Sequence, residues 1–270
     1  MTILSRSDIP AARRVVVKVG SSSISGDNAG QIEPLVTTLA EMHGRGTEVV
    51  LVSSGAIATG MPYLKLDARP DDLATQQAAA AVGQNVLIYR YQDSLDRFGI
   101  VAGQVLLTAG DLEHPTPRSN AERALLRLLG LRILPIINEN DTVATHEIRF
   151  GDNDRLASLV TQLVGADLLV LLSDVDALYT RPPLEPGAER IADVPYGDAL
   201  RGVKIGSVGT GLGTGGATTK VAAARFATAA GAAVLLAATP QVGEALAGEA
   251  VGTFFDPAPA SAVARPPVNA

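Results

Sequence analysis

The chain has 270 residues, 47% of them hydrophobic and 19% charged, and a formal net charge of −6. This balance is typical of a globular protein with an aliphatic core, and it argues against the basic surface that nucleic-acid binding needs. The sequence contains no cysteine, no apolar run of the roughly 20 residues that cross a bilayer, and no signal peptide at its start. We therefore expect a cytoplasmic protein without disulfides, thiolate metal sites, membrane contacts or nucleic-acid partners.

Apolar runs rich in β-branched residues alternate with helical patterns along the chain, as in an α/β fold. Several runs are hydrophobic throughout, which is typical of parallel strands covered on both faces. The predicted strands are Val15–Val19, Glu48–Ser53, Ile100–Leu106, Ile133–Asn138, Leu168–Ser173 and Ala233–Leu236. The predicted helices are Ile32–Arg45, Asp72–Phe98, Pro117–Leu129, Asn153–Val164 and Thr218–Ala230. Thr116 before Pro117 predicts the start of the third helix, and Asp152 is a good cap for the fourth.

The first predicted strand runs into Lys18 and a small polar turn, Gly20-Ser21-Ser22-Ser23. A solvated lysine at the end of a strand would need no function. However, an idle charge inside an apolar run is costly to bury, and the carboxyl ends of strands are where open α/β sheets bind ligands.

The second strand ends in Ser53-Ser54-Gly55-Ala56-Ile57, where a short helix is predicted to begin. This is either a tight turn with a serine cap or an anion cradle in which the N–H groups of Gly55 and Ala56 face a carboxylate or phosphate.

Two polar clusters follow further along, Asn138-Glu139-Asn140-Asp141 after a buried strand and Gly151-Asp152-Asn153-Asp154 at a helix start. Each alone could be a capping turn. Together they supply carboxylates and amides to one edge of the sheet, which favours a site for a small polar molecule with an ammonium group. The segment Thr145–Phe150 between them is predicted to form a hairpin or a lid.

Two stretches near the C-terminal half point to a nucleotide. Leu171-Leu172-Ser173-Asp174 is a strand that ends in an acidic turn, which either is a plain polar loop or contacts a nucleotide and Mg²⁺. The stretch Gly209–Lys220 is rich in glycine and leads into a helix, but it matches neither a Walker A motif nor a dinucleotide fingerprint. Backbone N–H groups at a helix start and fixed ammonium charges are what a polyphosphate needs, so we expect phosphoryl transfer.

Taken in order, these stretches resemble the amino acid kinase family over about Val15 to Phe255. The matching segments are Val16–Ser22, Ser53–Ile57, Ile136–Asp141, Phe150–Asp154, Leu171–Asp174 and Gly213–Lys220. The resemblance implies a three-layer αβα sandwich with a mostly parallel central sheet. The two polar clusters are similar to those of the branch that phosphorylates the side-chain carboxylate of L-glutamate, the first step of proline synthesis, with ATP and Mg²⁺.

The resemblance also implies roles for individual residues. Lys18 and Lys220 would neutralise charge on the transferring phosphoryl group, and Asp154 would orient both lysines. Asp141 would bind the α-ammonium of L-glutamate, while Ser54 and Asn153 would donate to its carboxylates. The predicted substrate-binding set is Ser54, Gly55, Ala56, Asn138, Asp141 and Asn153. The predicted ATP-binding set is Lys18, Ser173, Asp174, Thr214, Gly215, Gly216, Ala217, Thr218, Thr219 and Lys220. No residue is predicted to ligate a metal directly, and Ala217 stands where the family often has methionine.

Further expectations follow from the resemblance. Members are often inhibited by proline, for which Met61–Gln77 is a predicted lid, and they form homodimers or homotetramers. The labile product implies handover to glutamyl-phosphate reductase. Residues 1–255 would form the kinase domain and residues 256–270 a disordered Pro/Ala-rich tail, without the C-terminal PUA domain that many members carry. The alternatives are N-acetylglutamate kinase, which the charge of Asp141 disfavours, uridylate kinase, which needs a basic acceptor site, and a non-catalytic amino-acid or nucleotide sensor of the same fold.

Overall fold

A computed structural model describes residues 2–143, 153–204 and 216–262. Its core is an eight-stranded sheet with the strand order β3-β4-β2-β1-β5-β9-β10-β8. The first six strands in that order are parallel, β10 is antiparallel to β9, and β8 is parallel to β10. A separate hairpin pairs β6 with β7. The strands are β1 Arg14–Val19, β2 Glu48–Ser53, β3 Ala102–Leu107, β4 Leu134–Glu139, β5 Leu168–Ser173, β6 Leu178–Tyr179, β7 Arg190–Ile191, β8 Asp193–Val194, β9 Ala233–Ala238 and β10 Thr253–Phe255.

Helices cover both faces of this sheet. They are α1 Ile32–Gly44, α2 Ala56–Gly60, α3 Leu73–Asp96, α4 Ala109–Glu113, α5 Pro115–Gly130, α6 Asn153–Val164, α7 Ala217–Ala229 and α8 Val242–Leu246. Short 3-10 helices occur at Arg6–Ala11, Ser21–Ser23, Gly26–Gln31, Met61–Leu64 and Thr239–Gln241.

The alternation of side chains along β1 shows how the layers form. Val15, Val17 and Val19 lie in one apolar core with α1, α3 and α8, whereas Val16 lies in a second core with α5, α6 and α7. All four valines are fully buried, and each such side chain stabilises the fold by about 1.5–3 kcal/mol. The predicted three-layer αβα sandwich with a mostly parallel sheet is therefore confirmed.

Each predicted element is present in the structure, with ends that differ by at most two residues. The bounds of β2, β5 and α6 are those predicted. The start of the third predicted helix is wrong, because α5 begins at Pro115 and Thr116 lies inside its first turn. Pro115 already supplies the fixed φ that suits a first helical position. Strands β6, β7, β8 and β10 were not predicted, since two or three residues carry no readable periodicity. The predicted cap Asp152 lies outside the described residues.

The packed domain continues past the predicted boundary at Phe255. The backbone N–H of Asp256 donates to the carbonyl of Val194 at 3.0 Å, and that of Ala258 donates to the carbonyl of Thr228 at 2.9 Å. Ala258 is buried, and Pro259 to Ala262 are exposed. In the part of the chain that the structure describes, no helix has both the length and the apolar character of a membrane span.

Candidate active site

The carboxyl ends of four adjacent strands, β4, β2, β1 and β5, meet at one edge of the sheet. Each strand brings a residue of the predicted site to this edge: Asn138 from β4, Ser54 directly after β2, Lys18 from β1, and Ser173 from β5. Helices α6 and α7 begin close to the same edge, because Asp154 of α6 and Lys220 of α7 both reach it. The residues predicted to bind substrate and nucleotide, which are far apart in sequence, thus lie in a row.

Lys18 owes its direction to its position in β1. As an even-numbered residue of that strand it lies on the same face as Val16, which is the face that α6 covers. Its neighbours across the sheet are Val52 and Leu171, and its side chain is only 5% exposed. A buried ammonium needs a compensating charge. Asp154, in the first turn of α6, supplies it.

Asp154 pairs with both predicted lysines at once. Its Oδ1 lies 2.6 Å from Lys18 Nζ, and its Oδ2 lies 3.0 Å from Lys220 Nζ. Thr219 Oγ1 also lies 3.1 Å from Oδ2. The carboxylate is fully buried and the Lys220 side chain is 10% exposed. We call Lys18, Asp154 and Lys220 the charged cluster; two ammonium groups and one carboxylate give it a net charge of +1.

The pKa of Asp154 reflects this arrangement. Burial by itself would raise that pKa, because it disfavours the charged form. The charges of Lys18 and then Lys220, together with their hydrogen bonds, outweigh burial and hold the pKa well below its ordinary range. Asp154 is therefore a carboxylate at neutral pH. It can orient the two lysines, but it has no proton to give.

The start of α7 adds a second set of donors. Gly216 precedes the helix in an extended conformation, and the 13-residue helix from Ala217 carries Lys220 in its first turn. The first N–H groups of a helix have no acceptor within the helix, and its dipole favours an anion there. Five residues of the predicted ATP-binding set form this helix start: Gly216, Ala217, Thr218, Thr219 and Lys220. Thr214 and Gly215 lie outside the described residues.

The end of β5 lies beside β1 on one side and β9 on the other. Ser173 is buried there, its Oγ donates to Asp174 Oδ1 at 3.1 Å, and its carbonyl accepts from Thr239 Oγ1 at 3.2 Å. Asp174 is exposed. Its carboxylate belongs to the same sheet edge as the charged cluster.

On the side of Lys18 that faces β2 and β4, the site consists of uncharged side chains joined by hydrogen bonds. Asn153 Nδ2 lies 2.8 Å from Ser54 Oγ, 2.8 Å from Asn138 Oδ1 and 3.2 Å from the carbonyl oxygen of Ser53. Asn138 Nδ2 in turn donates to Gln84 Oε1 at 2.7 Å. We call Gln84, Asn138, Asn153 and Ser54 the amide chain. It joins α3, β4, α6 and the end of β2.

This geometry corrects the predicted role of Asn153. Its Nδ2 faces three acceptors of the protein itself, so it is not available to donate to a substrate carboxylate. Its Oδ1 is buried and has no hydrogen-bond partner among the described residues. The group that Asn153 has left to offer is therefore an acceptor. Ser54 Oγ accepts from Asn153, which leaves the Ser54 O–H as a donor.

The turn Ser54-Gly55-Ala56 is held by close packing behind it. Gly55 has a φ of 97°, in the left-handed region that glycine adopts easily, and it leads directly into α2. Helix α2 then touches α3 through two glycines: a Cβ built on Gly83 would lie 1.8 Å from the carbonyl oxygen of Ala56 and 2.5 Å from the nitrogen of Gly60. Any side chain at Gly83 would push α2 and its turn away.

The site contains two residues that were not predicted, Gln84 and Tyr91 of α3. Gln84 is buried against Asn138, and the Tyr91 hydroxyl, also buried, lies 2.9 Å from Ser53 Oγ. Burial raises the pKa of Tyr91, so its hydroxyl stays protonated. Neither residue belongs to a recognisable local motif. Asp141 lies in the turn that follows β4, half-buried, at the end of the row nearest the amide chain.

Comparison with known proteins identifies the family of this chain. Residues 13–237 match the amino acid kinase family. A glutamate 5-kinase of Leifsonia xyli is 73% identical over 270 residues, which is the whole of both chains. One of Clavibacter michiganensis is 75% identical over 257 residues, which are 95% of this chain and 99% of that one. One of Salinispora arenicola is 55% identical over 265 residues, which cover 96% of this chain and 72% of that longer one.

Among solved structures, a carbamate kinase of Giardia lamblia bound to AMP-PNP superposes with a TM-score of 0.66. It is 18% identical, and the match covers 92% of this chain and 99% of the other. At this identity the likeness concerns the fold.

Proposed function

Because the chain belongs to the amino acid kinase family, in its glutamate 5-kinase branch, we propose that the row of residues at the carboxyl edge of its sheet transfers the γ-phosphoryl group of ATP to the side-chain carboxylate of L-glutamate. The product is L-glutamyl 5-phosphate, and the reaction opens proline biosynthesis. One observation carries this proposal: two adjacent residues of α6 contact two chemically different groups of side chains. Asp154 joins the charged cluster, and Asn153 joins the amide chain.

The charged cluster is suited to the phosphoryl group. The reaction brings a carboxylate and a triphosphate to about 3 Å from each other, so the barrier is dominated by positioning and by repulsion between anions. Lys18 and Lys220 supply positive charge from two elements, and Asp154 holds both ammonium groups in place. Asp154 does not act as a base, because the attacking carboxylate carries no proton at neutral pH.

ATP fits this edge because a buried cluster of net charge +1 lies beside the N-terminus of α7. Ser173 and Asp174 at the end of β5 would contact the nucleotide beside it. Mg²⁺ binds in such sites largely through phosphate oxygens and water, with few protein carboxylates. When bound with ATP it neutralises charge on the phosphates. Asp174 is the exposed carboxylate at this edge that would face it.

The amide chain is suited to the acceptor. L-glutamate offers two carboxylates and one α-ammonium. We assign the ammonium to Asp141 and to the Asn153 carbonyl, and a carboxylate to the Ser54 hydroxyl and the turn at Gly55 and Ala56. An N-acetylated substrate has no ammonium group, so these acceptors would disfavour it. The site selects by charge and by hydrogen-bond direction together.

The proposal extends to regulation and partners. Met61–Gln77 follows α2 directly and begins with the 3-10 helix Met61–Leu64, in which Tyr63 and Leu64 are exposed. We assign it as the lid through which proline competes with glutamate. Inhibition that does not weaken as glutamate rises would reject this assignment. A cytoplasmic homodimer or homotetramer that passes its labile acyl phosphate to glutamyl-phosphate reductase completes the proposal.

Hydroxylamine trapping of the acyl phosphate tests the function. The purified full chain is incubated with ATP, Mg²⁺ and one acceptor at a time: L-glutamate, N-acetyl-L-glutamate, L-aspartate or UMP. Because UMP gives no acyl phosphate, its reaction is measured as ADP release. We expect hydroxamate with L-glutamate alone. Product from another acceptor would keep the kinase and reassign its substrate. Silence from all four acceptors, with ATP binding measured separately, would reject the kinase in favour of a sensor.

A further inference from the structure

We infer that Gln84 of α3 is a positioning residue that fixes the direction of the amide chain, so that Asn153 offers the substrate a carbonyl rather than an N–H, and that this favours L-glutamate over dicarboxylic acids without an α-ammonium. The inference rests on the proposed function. Gln84 lies 54 residues from Asn138 in the sequence, yet its Oε1 accepts from Asn138 Nδ2 at 2.7 Å in a buried contact.

The direction of each amide can be worked out from groups that cannot reverse. A side-chain amide has a donor end and an acceptor end of nearly equal size, so only its partners decide which end points where. The backbone N–H of Glu139 is always a donor, and it lies 2.8 Å from one end of the Asn138 amide. That end must be Oδ1. The other end is then Nδ2, which needs an acceptor, and Gln84 Oε1 is that acceptor.

The same reasoning determines which end of the Asn153 amide is the nitrogen. Asn138 Oδ1, already determined, lies 2.8 Å from Asn153, and the carbonyl oxygen of Ser53 lies 3.2 Å from the same Asn153 atom. Both are acceptors only, so that atom is Nδ2. Asn153 therefore presents Oδ1, which is buried and without a partner among the described residues. Leaving such a buried group unsatisfied is unfavourable, and a bound donor removes that cost. The α-ammonium is the donor that L-glutamate carries.

Close packing of α3 keeps Gln84 beside Asn138. Gln84 follows Gly83, the residue at which α3 packs so closely against Ala56 of α2 that a Cβ there would clash. Gln84 is itself buried, with 9% of its surface exposed. Without its acceptor, Asn138 Nδ2 would be buried and unpaired, and the Asn138 side chain would turn in search of another partner. Asn153 would then lose one of the three acceptors that hold its own amide.

The test compares Gln84→Met, which has similar size and no acceptor oxygen, with Gln84→Glu, which keeps one. Gln92→Met is the matched control: Gln92 lies on the same helix and bonds the backbone of Ile100 and Ala102, away from the amide chain. For each protein, kcat and KM are measured for L-glutamate, for glutarate, which lacks the α-ammonium, and for ATP.

We expect wild type to prefer L-glutamate, and Gln84→Met to lose roughly tenfold of its kcat/KM ratio for L-glutamate over glutarate, the size of one lost hydrogen bond. The loss should lie in the KM for L-glutamate, with the KM for ATP unchanged. Gln84→Glu should recover the preference, and Gln92→Met should keep it even where its melting temperature falls. If Gln84→Met does not fold, Gln84→Ala removes the same acceptor without adding volume and carries the same expectation.

The outcomes separate this inference from the function on which it rests. Wild type that phosphorylates neither acid overturns the proposed function and this inference with it. Wild type that prefers L-glutamate, with the same preference in Gln84→Met or its alanine substitute, overturns the inference alone. A preference lost equally in Gln92→Met would also overturn it, because the effect would then come from the stability of α3.

Discussion

Asn153 and Asp154 are consecutive residues of α6, but they belong to two halves of the site that are built in different ways. Asp154 holds two lysines by charge, while Asn153 holds three uncharged acceptors by hydrogen bonds. Attraction between charges falls slowly with distance and has little directional demand, whereas a hydrogen bond weakens steeply once its angle closes. In the proposed site, the phosphoryl side therefore depends on which charges are present, and the acceptor side depends on the direction of its hydrogen-bonding groups.

The sheet order explains why the two halves meet at α6. Strands β4 and β2 carry the amide chain, β5 lies on the nucleotide side, and β1 with Lys18 runs between them. Helix α6 packs on the face of β1 that Lys18 occupies, so its first residues can reach both sides. In the proposed site, one helix start would thus fix the acceptor relative to the phosphoryl donor. Each substitution below changes one half of the site, and the measurement shows whether the other half also changes.

The largest effect is expected from Asp154→Asn. It leaves two buried ammonium groups without a counter-charge, and removal of one partner from a buried ion pair typically costs about 3–5 kcal/mol. We expect the free energy of unfolding, measured in urea at pH 7, to fall by about that amount. The control is Asp72→Asn at the N-cap of α3, where asparagine caps as well as aspartate and stability should hold. Equal stability of the two variants would mean that charge does not hold the cluster together.

The lowered pKa of Asp154 gives the same cluster a pH dependence. Because the pKa is lower in the folded state than the ordinary value of about 4, the unfolded chain takes up the proton first. The stability that Asp154 confers is therefore complete above about pH 4 and is lost as the pH falls toward the folded-state pKa. The stability difference between wild type and Asp154→Asn should shrink on acidification below pH 4. A difference that grows there would contradict the assignment.

Lys220→Ala tests the charged half through catalysis. The variant leaves Lys18 and Asp154 as a neutral pair, so the cluster loses its surplus positive charge but keeps its carboxylate compensated. By comparison with single oxyanion donors, kcat should fall on the order of 10²–10³-fold while the KM for L-glutamate stays nearly constant. Lys204→Ala, which removes an exposed lysine, serves as the control. A rise in the glutamate KM alone would place Lys220 on the acceptor side.

Asp141→Asn tests the acceptor half, where we expect the KM for L-glutamate to change. A hydrogen bond between charged partners contributes about 1.5–3 kcal/mol, so loss of the carboxylate charge should raise the KM for L-glutamate roughly 10–100-fold. The KM for ATP should change little, since Asp141 follows β4 at the far side of the row from β5. Steady-state kinetics with each substrate varied in turn gives both values. Equal rises in the two constants would mean that Asp141 does not lie beside the acceptor.

The two halves also differ in how far the sequence predicts them. Lys18, Asp154 and Lys220 each stand out locally, as a charge in an apolar strand or in the first turn of a helix after a loop. Gln84 gives no such signal: it is one polar residue in an alanine-rich helix, and its partner Asn138 lies 54 residues away. The role of Asn153 was misjudged for the same reason, because the direction of its amide depends on Asn138, which Gln84 holds, and on the carbonyl of Ser53. Charges can be recognised from local context, but hydrogen-bond direction is a property of the folded chain.

Tyr91→Phe should have the smallest effect. It tests whether the acceptor half also depends on the hydrogen bond between Tyr91 and Ser53. The change removes the hydroxyl that lies 2.9 Å from Ser53 Oγ, but Ser53 Oγ keeps a contact of 3.1 Å with the carbonyl of Ser54. We expect a loss of about 0.5–1.5 kcal/mol in the free energy of unfolding and less than about a threefold change in the glutamate KM. Tyr89→Phe, an exposed tyrosine of the same helix, is the control for both measurements.

The reason for this small expected effect lies in which atom of Ser53 the amide chain uses. Asn153 donates to the backbone carbonyl of Ser53, and β2 holds that backbone between β1 and β4 whatever the Ser53 side chain does. Gln84, in contrast, bonds a side chain that can turn. A rise in the glutamate KM for Tyr91→Phe as large as that for Gln84→Met would mean that the end of β2 also needs a side-chain anchor. The acceptor half would then depend on α3 at two points instead of one.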